Sequence, residues 1–203
     1  DATDESGNYD GTPTNVNFNV AGKFGNAGSF NGSSSFIDTN AKIPASLDFS
    51  VSFWLKTTSA STQYIFDTKA NYQTNGWRIN IASGAISYNE GNGVDNATTQ
   101  TSPSSGYADG NWHNVIITRA SGGIVNMYID NIKVITNGSL GTNHMTSSVW
   151  QNDLHIGRLS YSAQYYFNGS IDQVRIFNKA LTSSEVTTLY NEVYCVPTIV
   201  PTD

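Results

Sequence analysis

The stretch Asp48–Thr57, DFSVSFWLKT, decides the fold. Phe49, Val51, Phe53 and Leu55 fall on one side of an extended chain, and Ser50, Ser52, Trp54 and Lys56 on the other. Alternation with a period of two over eight residues is the mark of a strand with one face against a core. Trp54 stands on the polar side. It is either exposed on a sheet face, or covered by a terminal helix or by loops of a second sheet.

Similar short runs follow in both directions. SSSFIDTN precedes the stretch and QYIFDTK follows it. WRINIA and AISYNE flank Ser83-Gly84, which predicts a hairpin turn. HNVIITRA and IVNMYID flank Ser121-Gly122-Gly123, and Asp130-Asn131 then turns the chain into IKVITNG. DLHIGRLS and GSIDQVRIF complete the set. Two polar stretches, residues 91–111 and 137–152, read as surface loops, the class of segment that often carries function. One short helix is expected after Leu181. Thr182 and Glu185 form a T-x-x-E capping box, with Leu181 stapled to Val186. Many short strands with frequent turn signals predict an all-β fold, a two-sheet antiparallel sandwich or a jelly roll, with one short C-terminal helix.

Composition agrees with this class. The chain has 203 residues, enough for one domain with a sizeable core, and only 13% are charged. Aromatic residues make up 12%, too many for a disordered chain. The net charge of −6 and the lack of any Lys/Arg cluster argue against nucleic acid and against a polybasic membrane patch. No apolar run reaches spanning length. Cys195 is the single cysteine, so an intrachain disulfide and CxxC metal sites are excluded. The chain begins at Asp1, which suggests a mature piece or an excised domain of a longer protein, and the tail 195–203 (CVPTIVPTD) reads as a linker.

The run from Ile171 to Asn178 poses a question. Strand alternation puts Asp172 on the same face as Val174 and Ile176. A buried carboxylate needs a cation or several donors. The opening DESGNYD supplies Asp4, Asn8 and Asp10 around a glycine turn, oxygen ligands of the type calcium prefers. Backbone N–H groups of the N-terminal segment, a Lys or Arg partner, or simple exposure are the alternatives.

Several segments together resemble the laminin-G-like branch of the concanavalin A-like lectin/glucanase superfamily. These are DESGNYDGT, GKFGNAGSFNGSSSFIDT, FSVSFWLKT, DGNWHNVIITR with VNMYIDNIKV, and LHIGRLS with YFNGSIDQVRIFNKALTSSEV, in that order. The resemblance covers residues 1–194 as one domain. It implies a jelly roll whose opening turn and closing-strand Asp share a structural calcium, held here by Asp4, Asn8 and Asp172, with Asp10 as a further candidate. It also implies that ligands meet the loops at residues 69–76, 91–111 and 139–152.

The residues themselves favour binding over catalysis. Glycosidases need two carboxylates facing each other across the bond to be cut, and no E-x-D-x-E run exists. Glu90 and Asp95 read as loop residues. Within QNDLHIGRLSY, His155 and Arg158 fall on opposite faces by alternation, so a lyase-type cluster is not expected. The three histidines, 113, 144 and 155, show no transition-metal spacing. No G-x-S-x-G or P-loop occurs. Sugars are recognised by aromatic faces flanked by amides, acids and guanidinium groups. FDTKANYQTNGW offers Asp67, Asn71, Tyr72 and Asn75, and RLSYSAQYY offers Arg158, Tyr161 and Tyr165, with His144 in a loop. The expectation is a non-catalytic module that binds a glycan or a protein partner through its edge loops. Its parent would be extracellular or on a cell or virion surface, with neighbouring domains on the same chain. A structural or assembly module without a small ligand is the alternative, and a polysaccharide-acting enzyme the third.

Overall fold

A computed structural model describes residues 1–42, 44, 46–68, 75–91, 98–140, 145 and 153–192. The strands are β1 (Thr12–Thr14), β2 (Asn17–Ala21), β3 (Asn26–Asn31), β4 (Phe36–Asp38), β5 (Phe49–Lys56), β6 (Gln63–Asp67) and β7 (Gly76–Ala82). They continue as β8 (Ala85–Gly91), β9 (Thr98–Thr101), β10 (His113–Ala120), β11 (Ile124–Ile129), β12 (Ile132–Ser139), β13 (His155–Ile156) and β14 (Asn168–Phe177). One helix, α1, spans Ser183–Tyr190. The strands form two seven-stranded sheets, β1-β4-β13-β6-β7-β8-β9 and β12-β11-β10-β5-β14-β3-β2. Among the described residues every strand pair is antiparallel. The two antiparallel layers are what the alternation predicts, and the jelly-roll sandwich is what the family resemblance implies.

The alternating set on β5 does face the core. Phe49, Val51, Phe53 and Leu55 are fully buried and meet the inner face of the other sheet. The Phe53 and Phe66 rings cross edge to face at 4.9 Å, and Phe49 lies 5.5 Å from Trp77. Full burial of one such aromatic ring contributes roughly 2–3 kcal/mol. An ion pair also crosses this core. Arg119 on β10 donates to both oxygens of Glu90 on β8, at 2.9 and 3.2 Å, and both side chains are fully buried. The Tyr88 hydroxyl donates to the same carboxylate at 2.6 Å, and burial raises its pKa well above the ordinary phenol value. Glu90 is therefore a strand residue facing inward, not a loop acid. Its solvation is replaced by Arg119, Tyr88 and the Met145 N–H at 2.9 Å.

Turn chemistry matches the sequence. Ser83 (φ +50°) with Gly84 (+76°), and Asp130 (+52°) with Asn131 (+64°), occupy the left-handed region that tight hairpins require. Asp130 also holds the turn, since its carboxylate accepts from Asn114 N at 2.9 Å and from His113 Nδ1 at 2.7 Å. Asp109 takes the other ring nitrogen at 3.1 Å. Burial alone would lower the His113 pKa, but these two carboxylates outweigh it and raise it. The stretch read as one loop, 91–111, contains a strand, β9. Its Thr-rich sequence pairs with β8 from Ser87↔Thr101 to Glu90↔Thr98.

The helix begins as predicted, with the reciprocal Thr182–Glu185 box. It covers the outer face of the second sheet, where Leu181 and Val186 pack on Ile116 and Tyr128. Trp54 is only 6% exposed, stacked on Tyr190 of α1 at 5.8 Å, so the helix covers it.

The Asp172 question has a geometric answer. Asp172 pairs with Trp54, but Arg175 pairs with Ser52, so three steps on β14 match two on β5. This is a β-bulge, with Gln173 at φ +50°. The extra residue reverses the alternation, so Ile176 packs on the core while Asp172 sits over the outer face with Trp54. The shared face with Ile176 that simple alternation predicts is thus incorrect. One Asp172 oxygen accepts from Phe24 N at 3.0 Å, in the β2–β3 turn, and the other from Gln173 N at 2.8 Å.

Candidate functional site

β13 is short because Gly157, at φ +91°, turns the chain out of the sheet. A Cβ there would meet a Phe30 ring carbon at 2.6 Å, so the turn needs glycine. The segment that follows folds back as a flap. It is pinned by Gly157 N to Ile65 O (2.9 Å), Phe167 N to Gly157 O (2.8 Å) and Tyr64 N to Tyr165 O (2.9 Å). Beneath the flap Asp67 and Arg78 form an ion pair at 3.2 Å, with exposures of 0% and 1%. Ser160 closes it from above, its N and Oγ donating to Asp67 at 2.9 and 3.0 Å. Tyr64 and Tyr161 flank the Arg78 guanidinium at 5.4 and 5.8 Å.

A shallow cleft of about 270 Å³ opens beside the flap. Its floor joins two copies of the same tetrapeptide, FNGS, at residues 30–33 and 167–170. Asn31 and Asn168 lie directly opposite each other, and Gly32 N donates to Phe167 O at 2.9 Å. Gly32 has φ +74°, and a Cβ on it would lie 2.8 Å from that of Asn168. One wall comes from the β5–β6 connection and the start of β6, with Ser59, Ser61, Thr62 and Gln63. Gln63 is fixed, donating to Ser59 O at 2.7 Å and accepting from Asn168 N at 2.6 Å. Asn31 is also committed, since its Oδ1 accepts from the N–H groups of Ser33, Ser34 and Ser35. The side chains of Ser61, Thr62 and Asn168 make no hydrogen bond to protein among the described residues.

Tyr165 and Tyr166 form the other wall. Tyr165 is 45% exposed and held at φ +54°. A bulky residue in this region is strained. The Tyr64 ring supports it edge to face at 5.8 Å.

The residues expected to bind ligand separate into groups. Tyr165 lines the cleft. Tyr161 lies under the flap's edge against Arg78. Asp67 is fully buried and engaged, and Asn75 is 7% exposed, so both sit inside the fold instead of on a rim. Arg158 stacks over Phe36 at 3.7 Å, and His155 lies 6.4 Å from the same ring. Those two share a face because Gly157 breaks the strand between them, contrary to the simple alternation. Asn71, Tyr72 and His144 lie outside the described residues. The cleft's remaining residues carried no sequence signal except the repeated FNGS.

The four residues named for calcium fall in two places. Asp4 accepts from Ser6 Oγ, Asn8 N (3.1 Å) and Tyr9 N (3.2 Å), while Asp10 accepts from Asp4 N at 2.8 Å. The Ser6 hydroxyl, helped by these amides, lowers the Asp4 pKa. Asp172 is bound to the β2–β3 turn instead. Among the described residues no group of three or more His, Cys, Asp or Glu side chains is placed to hold a metal ion.

Comparison with known proteins agrees with this fold. No curated protein sequence matches the chain. Among solved structures it is similar to domain 4 of AbnA, a GH43 extracellular arabinanase from Geobacillus stearothermophilus, in complex with arabinotriose. The identity is 22% and the TM-score 0.70, covering 94% of this chain and 93% of that one. It also resembles the receptor-binding domain of botulinum neurotoxin C/D mosaic serotype, at 20% identity and a TM-score of 0.70, over 91% of this chain and 47% of that one. The binding domain of Paraclostridial Mosquitocidal Protein 1 is similar at 20% identity and a TM-score of 0.72, over 93% and 49%. The chain thus spans about half the length of these toxin domains. In sequence, residues 28–187 match a laminin-G family described as the Concanavalin A-like lectin/glucanases superfamily. The chain belongs to that superfamily.

Proposed function

We propose that this domain is a non-catalytic carbohydrate-binding module and that the Tyr165 cleft holds the sugar. The carrying observation is Tyr165 itself, an aromatic ring 45% exposed at a strained φ of +54° beside unclaimed hydroxyl and amide groups. Strained residues cluster at ligand clamps, and the C–H face of a sugar packs on an aromatic ring while its hydroxyls take donors and acceptors. Among the described residues the cleft lining contains no Asp, Glu or His, and the groups it offers a ligand are amides, hydroxyls and phenols. The arabinanase domain in complex with arabinotriose, similar over 93% of its length, supports the same reading. The parent is an extracellular or cell-surface protein, as for that arabinanase. Scattered exposed apolar residues such as Ile132 (67%) and Tyr9 (42%) stand apart on β12 and the opening turn, which gives an assembly role less support.

Affinity electrophoresis against a panel of soluble polysaccharides tests this. Retardation by at least one polysaccharide is expected. It should weaken at least tenfold in Tyr165→Ala and stay unchanged in Tyr9→Ala, which removes an exposed ring elsewhere. Equal retardation of the Tyr165 variant and the parent would exclude the cleft.

A further inference from the structure

We infer that the cleft selects neutral glycan and engages one or two sugar units of a longer chain, an inference that rests on the carbohydrate reading above. Among the described residues its lining consists of amides, hydroxyls, phenols and a glycine, with no charged side chain. A uronate, sialate or sulfate entering it would lose water without gaining a counter-cation, which is costly. Two nearby guanidinium groups are held elsewhere. Arg78 is sealed under the flap against Asp67, and Arg158 lies over Phe36. The chain's net charge of −6 adds a field that repels polyanions.

The free groups suit a neutral diol. Asn168 offers a donor and an acceptor on one amide, matching two neighbouring hydroxyls, while Ser61 and Thr62 can each donate or accept. The volume of about 270 Å³ falls just below the range of roughly 300–1,000 Å³ typical for drug-sized ligands, so only a short segment fits. The cleft is open, which lets the polymer continue beyond it.

The test uses the domain with linear arabinan as the neutral probe and polygalacturonate as the uronate probe, each titrated calorimetrically at low and high salt. The expected result is arabinan binding with less than a twofold change between salt conditions, and at least tenfold loss in Tyr165→Ala. Binding of polygalacturonate that depends on Tyr165 and weakens with salt would overturn the neutral selection while leaving the carbohydrate reading intact. Binding of neither polymer, repeated with a neutral β-glucan and a mannan, would overturn both. Arabinan binding that Tyr165→Ala leaves unchanged would overturn this cleft as the sugar site, and with it the inferred selection there, while leaving carbohydrate binding by the domain intact.

Discussion

Each sheet has a face turned away from the core, and the two faces are finished differently. On the second sheet the cover is apolar. Helix α1 and the Leu181 just before it lay Leu181, Val186 and Tyr190 over Ile116, Tyr128 and Trp54. On the first sheet the cover is polar. The outward row Asp38–His155–Asp67–Arg78–Asn89 runs across five paired strands and is partly roofed by the flap. An apolar cover gains stability from contact area and leaves little to recognise. A polar cover must satisfy each buried charge, and its margin leaves hydroxyls and amides free for a ligand. The contrast favours the flap over the helix as the place for the proposed binding.

The largest expected effect breaks the polar side. Asp67→Ala leaves Arg78 buried without its carboxylate and should cost about 3–5 kcal/mol in denaturant unfolding. Trp54→Ala attacks the apolar side by emptying the space between β5 and Tyr190. It should cost about 3 kcal/mol without altering glycan retardation. Asp172→Ala leaves the Phe24 and Gln173 amides without an acceptor, and should cost about 2 kcal/mol by the same assay.

These residues also show how much was legible. Strand alternation on β5, β10 and β11 and the capping box at Thr182 were readable because local spacing alone determines them. The Asp172 bulge was not, since one inserted residue at Gln173 reverses the alternation and only pairing with β5 reveals it. The flap was hidden for a similar reason, as Gly157 ends β13 and its role depends on Phe30, distant in sequence. Glu90 and Arg119 lie 29 residues apart, and no local pattern links them. The cleft was half legible. Tyr165 is named in the sequence only as one of several candidates in RLSYSAQYY, beside Arg158 and Tyr161, while Ser61, Thr62 and Asn168 matter only through tertiary placement.

Smaller effects sharpen the comparison. His113 has a raised pKa when folded, so its ion pairs stabilise fully below the unfolded value of about 6.5 and lose that contribution as pH rises through the folded value. Melting temperature should therefore decline above about pH 6.5, and His113→Gln should flatten the decline. Tyr165→Gly should change stability least, by no more than about 1 kcal/mol, because glycine relieves the left-handed strain while raising chain entropy. Scanning calorimetry would show its melting temperature near that of the parent.

The central claim is that a sugar sits against Tyr165 at the flap's margin. Amide chemical-shift mapping during titration with an arabino-oligosaccharide tests it most directly. The predicted shifts centre on Thr62, Gln63, Tyr165, Tyr166 and Asn168, with Trp54 and α1 unmoved. Shifts confined to residues 69–74, 92–97 and 141–152, or to the helix-covered face, would contradict it.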